Sequence, residues 1–152
     1  MVESKAEYAA ELFHKGVNCA QAVAGAFASE LGMSEKEAFK LASGFGGGVG
    51  RLREICGAAS GVVLVLNHLY GNDDISDKDA KDQHYARVQS VLREFEKING
   101  SLICRVLLEL DEKTPVKPES EQRTNAYYQQ RPCANLVKSA ARLLEDYIKK
   151  LS

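Results

Sequence analysis

An all-α fold, a single-domain bundle of about six to seven helices around a buried central helix, is what this chain of 152 residues predicts. Three observations predict it. Apolar residues recur at helical spacing along almost the whole chain. Helix start and stop residues bracket those stretches. The one segment with strand-like composition, Val62-Val63-Leu64-Val65-Leu66, has no alternating partner elsewhere.

Tyr8, Ala9, Leu12 and Phe13 make one face of a first helix that closes near Gly16. Ala20, Val23, Ala24, Phe27 and Leu31 make a second, with Asn18 as its cap, Gln21 three residues later, and Gly32 as its stop. Ser34 and Glu37 have the spacing of a capping box and open a third helix through Ala38, Leu41, Ala42 and Phe45. A glycine-rich turn leads to the long apolar central helix, which stops before Tyr70-Gly71. Asn72 to Asp79 reads as a polar connection. Tyr85, Val88, Val91, Leu92, Phe95 and Ile98 then mark a long amphipathic helix ended by Asn99-Gly100. Ser101 restarts a shorter one through Ile103, Leu107 and Leu110. Asp111 to Pro132 is polar, carries all three prolines and reads as a mobile loop with a helical turn near Glu119 to Tyr128. Val137, Ala140, Ala141, Leu144, Ile148 and Leu151 form the last helix.

Composition narrows the function classes. A formal charge of −1 gives no global reason to expect a nucleic-acid or anionic-membrane partner. The longest uncharged run, Ile55 to Asn72, holds too many polar residues for a spanning helix, so no membrane insertion is expected. The amino terminus alternates charged and apolar residues, so no secretory leader is expected and a cytoplasmic protein is. A homo-oligomer is compatible with the sequence.

The four cysteines, Cys19, Cys56, Cys104 and Cys133, are too far apart for a C-x-x-C, a zinc knuckle or a ferredoxin spacing. Any joint site must be assembled by the fold. The helix assignments put them at shared positions. Cys19 is the first helical residue after Asn18, and Cys104 the third after a Ser101 cap. Cys133 is the second after Pro132, and Cys56 lies at the start of the central helix. A helix amino terminus favours thiolate over thiol, and Arg51, Arg53, Arg105 and Arg131 stand nearby in sequence. Burial pushes the other way.

Seven of the 12 glycines fall between Gly44 and Gly61. Gly57, Ser60 and Gly61 leave one side of the central helix nearly bare, so another helix can approach closely. Gly46, Gly47 and Gly48, with Gly57, are candidate backbone contacts for a cofactor or for anionic sulfur. The run GFGGGVGR lacks the GK[ST] ending of a phosphate loop, and no strand precedes it. Among the remaining polar residues, His14 suits a helix end and His84 a solvated charged stretch. His68 reads as a hydrogen-bonded core residue before it reads as a metal ligand. Glu54 suits pairing with an arginine more than deprotonating Cys56, and Tyr127-Tyr128 a surface pair more than a cover.

With Asn18-Cys19-Ala20-Gln21, GFGGGVGR followed by Cys56-Gly57-Ala58-Ala59-Ser60-Gly61, NGSLICR around Cys104 and RPC with Cys133, the chain resembles the four-cysteine family labelled C_GCAxxG_C_C. The resemblance runs through nearly the whole chain in order. It implies redox activity carried by the cysteines, with no substrate established for the class. Its likeness to a module joined to haem domains in electron-transfer proteins lends weight to a metal centre, although no C-x-x-C-H is present. Two departures stand out. Arg53 occupies a place where the family is expected to prefer glycine, and Val106 to Leu110 lack the glycine expected to close that helix.

Three functions follow as expectations. One is a thiol–disulfide oxidoreductase or electron carrier, with Cys19, Cys56, Cys104 and Cys133 as redox thiols and an unidentified redox partner. The second holds an iron–sulfur cluster or another thiophilic metal on Cys56, Cys104, Cys133 and Cys19. The third is a helical interaction module in which the sulfurs are scattered packing groups.

Overall fold

The structure, a computed structural model, describes residues 4–152; Met1 to Glu3, at the start of the amino-terminal stretch read above, lie outside the described residues. Eight α-helices follow one another: α1 (Lys5–His14), α2 (Cys19–Ala26), α3 (Glu35–Ala42), α4 (Gly57–Tyr70), α5 (Lys78–Asn99), α6 (Cys104–Leu107), α7 (Asn125–Gln130) and α8 (Cys133–Leu151). A 3-10 turn, Ser43–Phe45, extends α3. The architecture is all-α. α6 is the shorter helix expected after Ser101, and α7, the helical turn expected in the proline-containing loop, brings the number to eight among the described residues.

The caps explain most boundaries. Asn18 and Ser34 both complete capping boxes, with Gln21 and Glu37 reaching back to the cap N–H. Gly100 ends α5 in the left-handed conformation at φ 100°. α5 begins earlier than expected because Asp77 accepts from Ala80 N–H and serves as its cap. Other boundaries move. α2 closes at Ala26 and continues to Gly32 as turns. Cys104 and Cys133 are each the first residue of their helix, because Ser101 turns back onto Ile103 N–H and Pro132 takes the cap position. The helical turn expected near Glu119 forms only from Asn125, where Thr124 accepts from Tyr127 N–H. Leu41, Phe45, Tyr85, Ile98 and Leu151 stay exposed, so the apolar stripes of their helices are narrower than their spacing suggested.

α4 is the buried axis, as its apolar run requires. Val62, Val65 and Leu66 are fully buried with Phe13, Phe27, Phe95, Val137 and Leu144 from the surrounding helices. α2 lies against the bare side of α4. A Cβ at Gly61 would sit 2.8 Å from Val23 Cβ, which is why a side chain is missing there. α1 packs along α8, and α8 also closes over α2, α4 and α5. A smaller alanine cluster, Ala20, Ala24, Ala28, Ala38 and Ala42, fastens α3 onto α2. All four cysteine-bearing helix starts reach one cavity, which Ser120, Glu121 and Arg123 of the loop before α7 also line.

No described helix is long and apolar enough to cross a membrane.

Candidate functional site

Two chain segments meet first. Ile55 and Ile103 form an isolated antiparallel bridge. Cys56 N–H donates to Leu102 O at 2.7 Å, Cys104 N–H to Glu54 O at 2.6 Å, and Arg105 N–H to Arg53 O at 3.2 Å. These bonds bring cysteines 48 positions apart in the chain onto adjoining backbone. Glu54 contributes through its carbonyl; its side chain is exposed.

The glycine-rich segment folds back on itself to make room for that bridge. Gly48 O accepts from Glu54 N–H at 2.8 Å, and Gly47 O from Arg53 N–H at 3.0 Å. Gly47 and Gly48 have φ 64° and 76°, and a Cβ on Gly48 would stand 2.7 Å from Cys104 Cβ. Glycine is therefore required where backbone presses on a cysteine. Three residues of the same loop share the left-handed conformation without being glycine: Val49 at φ 68°, Arg51 at 64° and Arg53 at 65°. A fourth is Glu109 at φ 56°, closing α6. Both departures from the family pattern thus fall on positions whose backbone favours glycine.

The four cysteines line one cavity of about 110 Å³. Cys19, Cys104 and Cys133 stand at the first residues of α2, α6 and α8, and Cys56 caps α4. All four are free thiols. Gly47 and Gly57 line the same cavity. Gly46 and Gly48 do not; they are pressed against Asn18 and Cys104 instead. Arg51, Arg53, Arg123 and Arg131 complete the wall with Glu121 and Tyr127.

The thiols are electrostatically unequal. Cys19 and Cys133 act on each other: their interaction lowers Cys133 from the ordinary thiol value and raises Cys19 well above it. Burial opposes the shift at Cys133, while Arg131, Arg123 and Arg53 support it. Of the two, Cys133 is the sulfur that favours negative charge. Burial pushes Cys56 up to about 11, although Ala58 and Ala59 N–H favour its thiolate. Burial also raises Cys104, against Arg53, whose Nη1 donates to the Cys104 sulfur at 3.7 Å. Tyr127 is pushed up to about 12, first by burial and then by charge on Cys133, so it presents a neutral phenol to the cavity.

Among the described residues no three His, Cys, Asp or Glu side chains converge as metal ligands. The four thiols line a common space, but no three of them stand as ligands of a single metal ion.

The other singled-out residues lie elsewhere. His14 Nδ1 meets Ala10 O at 2.8 Å. His68 is exposed rather than a core residue. His84 is not simply solvated: its ring lies between Asn67 and Arg87, and partial burial and then Arg87 lower its pKa. Arg105 turns away from the thiols to donate to Asp111 O at 2.7 Å. Tyr127 belongs to the cavity, contrary to the surface pair expected, and Tyr128 packs edge-on against Phe13.

Sequence reasoning missed Arg123 and Glu121. Arg123 donates to Phe13 O and Val17 O and sits 4.4 Å over the Phe13 ring, fastening the loop across the mouth of the bundle. Both residues belong to a polar, proline-containing stretch with no periodicity, and the only available signal was an arginine beside two tyrosines.

Comparison with curated proteins and with solved structures finds no match. A family model does match, over residues 17–147, and its span includes every cysteine and the whole glycine-rich loop. The chain therefore belongs to the family described as "Putative redox-active protein (C_GCAxxG_C_C)".

Proposed function

We propose that the protein is a dithiol–disulfide redox protein in which Cys133 attacks and Cys19 resolves. The observation that carries this reading is that Cys19 and Cys133, each the first residue of its helix, line one cavity with arginines and differ in acidity, Cys133 favouring thiolate and Cys19 thiol. The Cys133 thiolate attacks one sulfur of a disulfide R–S–S–R; the S–S bond breaks and RS⁻ leaves. Cys19 loses its proton to solvent and attacks the Cys133 sulfur of the mixed disulfide, releasing the second RS⁻. Two protein thiols become one disulfide, and R–S–S–R becomes two thiols after protonation. A reducing compartment such as the cytoplasm, with a dithiol partner, would return the protein to its starting state. Cys56 and Cys104, both held as thiols by burial, form a second pair positioned by the Ile55–Ile103 bridge and serve as a reserve.

The test is to treat fully reduced protein with hydroxyethyl disulfide under anaerobic conditions and map the products by mass spectrometry. A Cys19–Cys133 crosslink is expected. Cys19→Ser is expected to trap the hydroxyethyl adduct on Cys133, and Cys133→Ser to abolish the fast phase. Oxidation confined to Cys56 and Cys104, or iron and sulfide in stoichiometric amount in protein purified without oxygen, overturns the assignment.

A further inference from the structure

Three guanidinium groups at the cavity wall share a single carboxylate oxygen. Glu121 Oε1 accepts from Arg131 Nη2 in a short contact, lies 3.4 Å from Arg51 Nη2 and 3.8 Å from Arg53 Nη2. The arginine side chains are largely covered, 20, 12 and 19% exposed for Arg51, Arg53 and Arg131, while Glu121 is 43% exposed. The three arise from different places: two from the strained glycine-rich loop, one from the residue before Pro132. Glu121 is the carboxylate paired with these three covered guanidinia, Cys133 is the sulfur whose charge Arg131 and Arg53 also favour, and a substrate carboxylate taking the place of Glu121 would keep the charge balance.

The same four residues line two cavities. One is the thiol cavity; the other is a space of about 230 Å³ bounded also by Thr114, Val116, Lys117 and the carboxylate-bearing Glu119. Glu121 thus stands in the wall that the two spaces share. Its loop does not depend on it for attachment: Arg51 Nη1 holds Lys117 O at 2.9 Å and Arg105 holds Asp111 O at 2.7 Å. The carboxylate can leave the arginines while the loop stays on the bundle. Spaces of this size admit small molecules rather than a protein segment.

We propose that Arg51, Arg53 and Arg131 bind the carboxylate of a small disulfide substrate, and that Glu121 is an internal occupant of that site which the substrate displaces on its way to Cys133. The substrate class rests on the dithiol reading above; the anion site does not. A tethered carboxylate competes at an effective concentration in the millimolar range. Removing it therefore raises affinity for a free carboxylate and leaves affinity for a neutral analogue unchanged.

Binding and exchange are tested separately on the full chain. Thiodiglycolate, a dicarboxylate thioether that cannot exchange with thiols, is titrated calorimetrically against wild type, Glu121→Gln and Glu121→Gln/Arg131→Gln, with neutral thiodiglycol as control. Glu121→Gln is expected to bind thiodiglycolate at least tenfold more tightly than wild type, and the added Arg131→Gln to remove most of that gain. In exchange, dithiodiglycolate is expected to oxidise Glu121→Gln at least tenfold faster than wild type, with hydroxyethyl disulfide changed less than twofold. Equal thiodiglycolate affinity in wild type and Glu121→Gln overturns the proposal. So does equal acceleration of the anionic and neutral disulfides, which would mean that the loop had merely loosened. Tight thiodiglycolate binding without any Cys19–Cys133 disulfide would retain the anion site and sink the dithiol function.

Discussion

Replacing Glu109 by glycine is expected to stabilise the protein. Glu109 closes α6 with φ 56°, and the bonding around it is that of a Schellman ending: Leu110 N–H donates to Arg105 O at 2.9 Å and Glu109 N–H to Val106 O at 3.0 Å. Glycine is the usual occupant of that position because an L side chain there costs about 1–2 kcal/mol. Glycine in turn raises the entropy of the unfolded chain by the equivalent of about 0.4–1 kcal/mol. The Glu109 side chain is exposed, so little else is lost. The net gain is about 0.5–1 kcal/mol, which for a chain of this length is a rise in Tm of about 1–4 °C. The assay is calorimetric unfolding of fully reduced protein at neutral pH. Arg53→Gly is the informative companion. It relieves the same backbone strain at φ 65°, yet it removes the guanidinium that donates to the Cys104 sulfur and reaches Glu121. Its Tm is expected to rise less than that of Glu109→Gly, and alkylation of Cys104 to slow because burial is no longer opposed. An unchanged or lower Tm for Glu109→Gly would refute the reasoning from backbone strain.

The remaining predictions concern the thiols and the glycine loop. Alkylation by iodoacetamide, followed residue by residue by mass spectrometry across pH, should reach half its limiting rate at Cys133 below the ordinary thiol value of 9.0 and at Cys56 near pH 11. The stability signs are opposite: the lowered Cys133 contributes above its unfolded value and loses that contribution on acidification, whereas the raised Cys56 costs stability as pH climbs from 9.0 toward 11. Gly48→Ala should lower stability by roughly 2–4 kcal/mol in denaturant unfolding, adding left-handed strain to overpacking against Glu54 N at 2.6 Å and Cys104 Cβ at 2.7 Å. Gly44→Ala, with nothing within 4 Å of the added Cβ, is its near-neutral control.

What was legible in the sequence was whatever has a local cause. The capping boxes at Asn18 and Ser34 and the Gly100 stop depend on residues within a turn of one another, and each appears where its spacing puts it. The helix-start placement of the cysteines was legible for the same reason, to within a residue or two. The close approach of α2 to α4 could be read from Gly57 and Gly61 because a missing side chain on a helix has few other uses. The site's charge arrangement could not be read. Glu121 meets Arg51 across 70 positions and Arg123 meets Phe13 across 110, through a loop whose path follows no period. Nor could Tyr127 be placed, since an aromatic pair in a polar stretch reads as surface until the loop is seen to fold over the cavity.

The glycine-rich loop joins these levels. Its glycines allow backbone to press against Cys104 and Asn18, but the residues interleaved with them hold the same left-handed conformation at a cost of about 1–2 kcal/mol each. Arg51 and Arg53 are two of the three, and both line the thiol cavity, Arg53 donating to the Cys104 sulfur and Arg51 to Glu121. Glycine at those positions would relieve the strain and leave the cavity with one arginine fewer in each case. The unfavourable backbone is thus coupled to the placement of positive charge beside the sulfurs, the pattern expected where strain supports a site rather than the fold. Glu109 carries similar strain without a contact to the cavity, so the two glycine substitutions separate strain that positions a charge from strain that positions nothing.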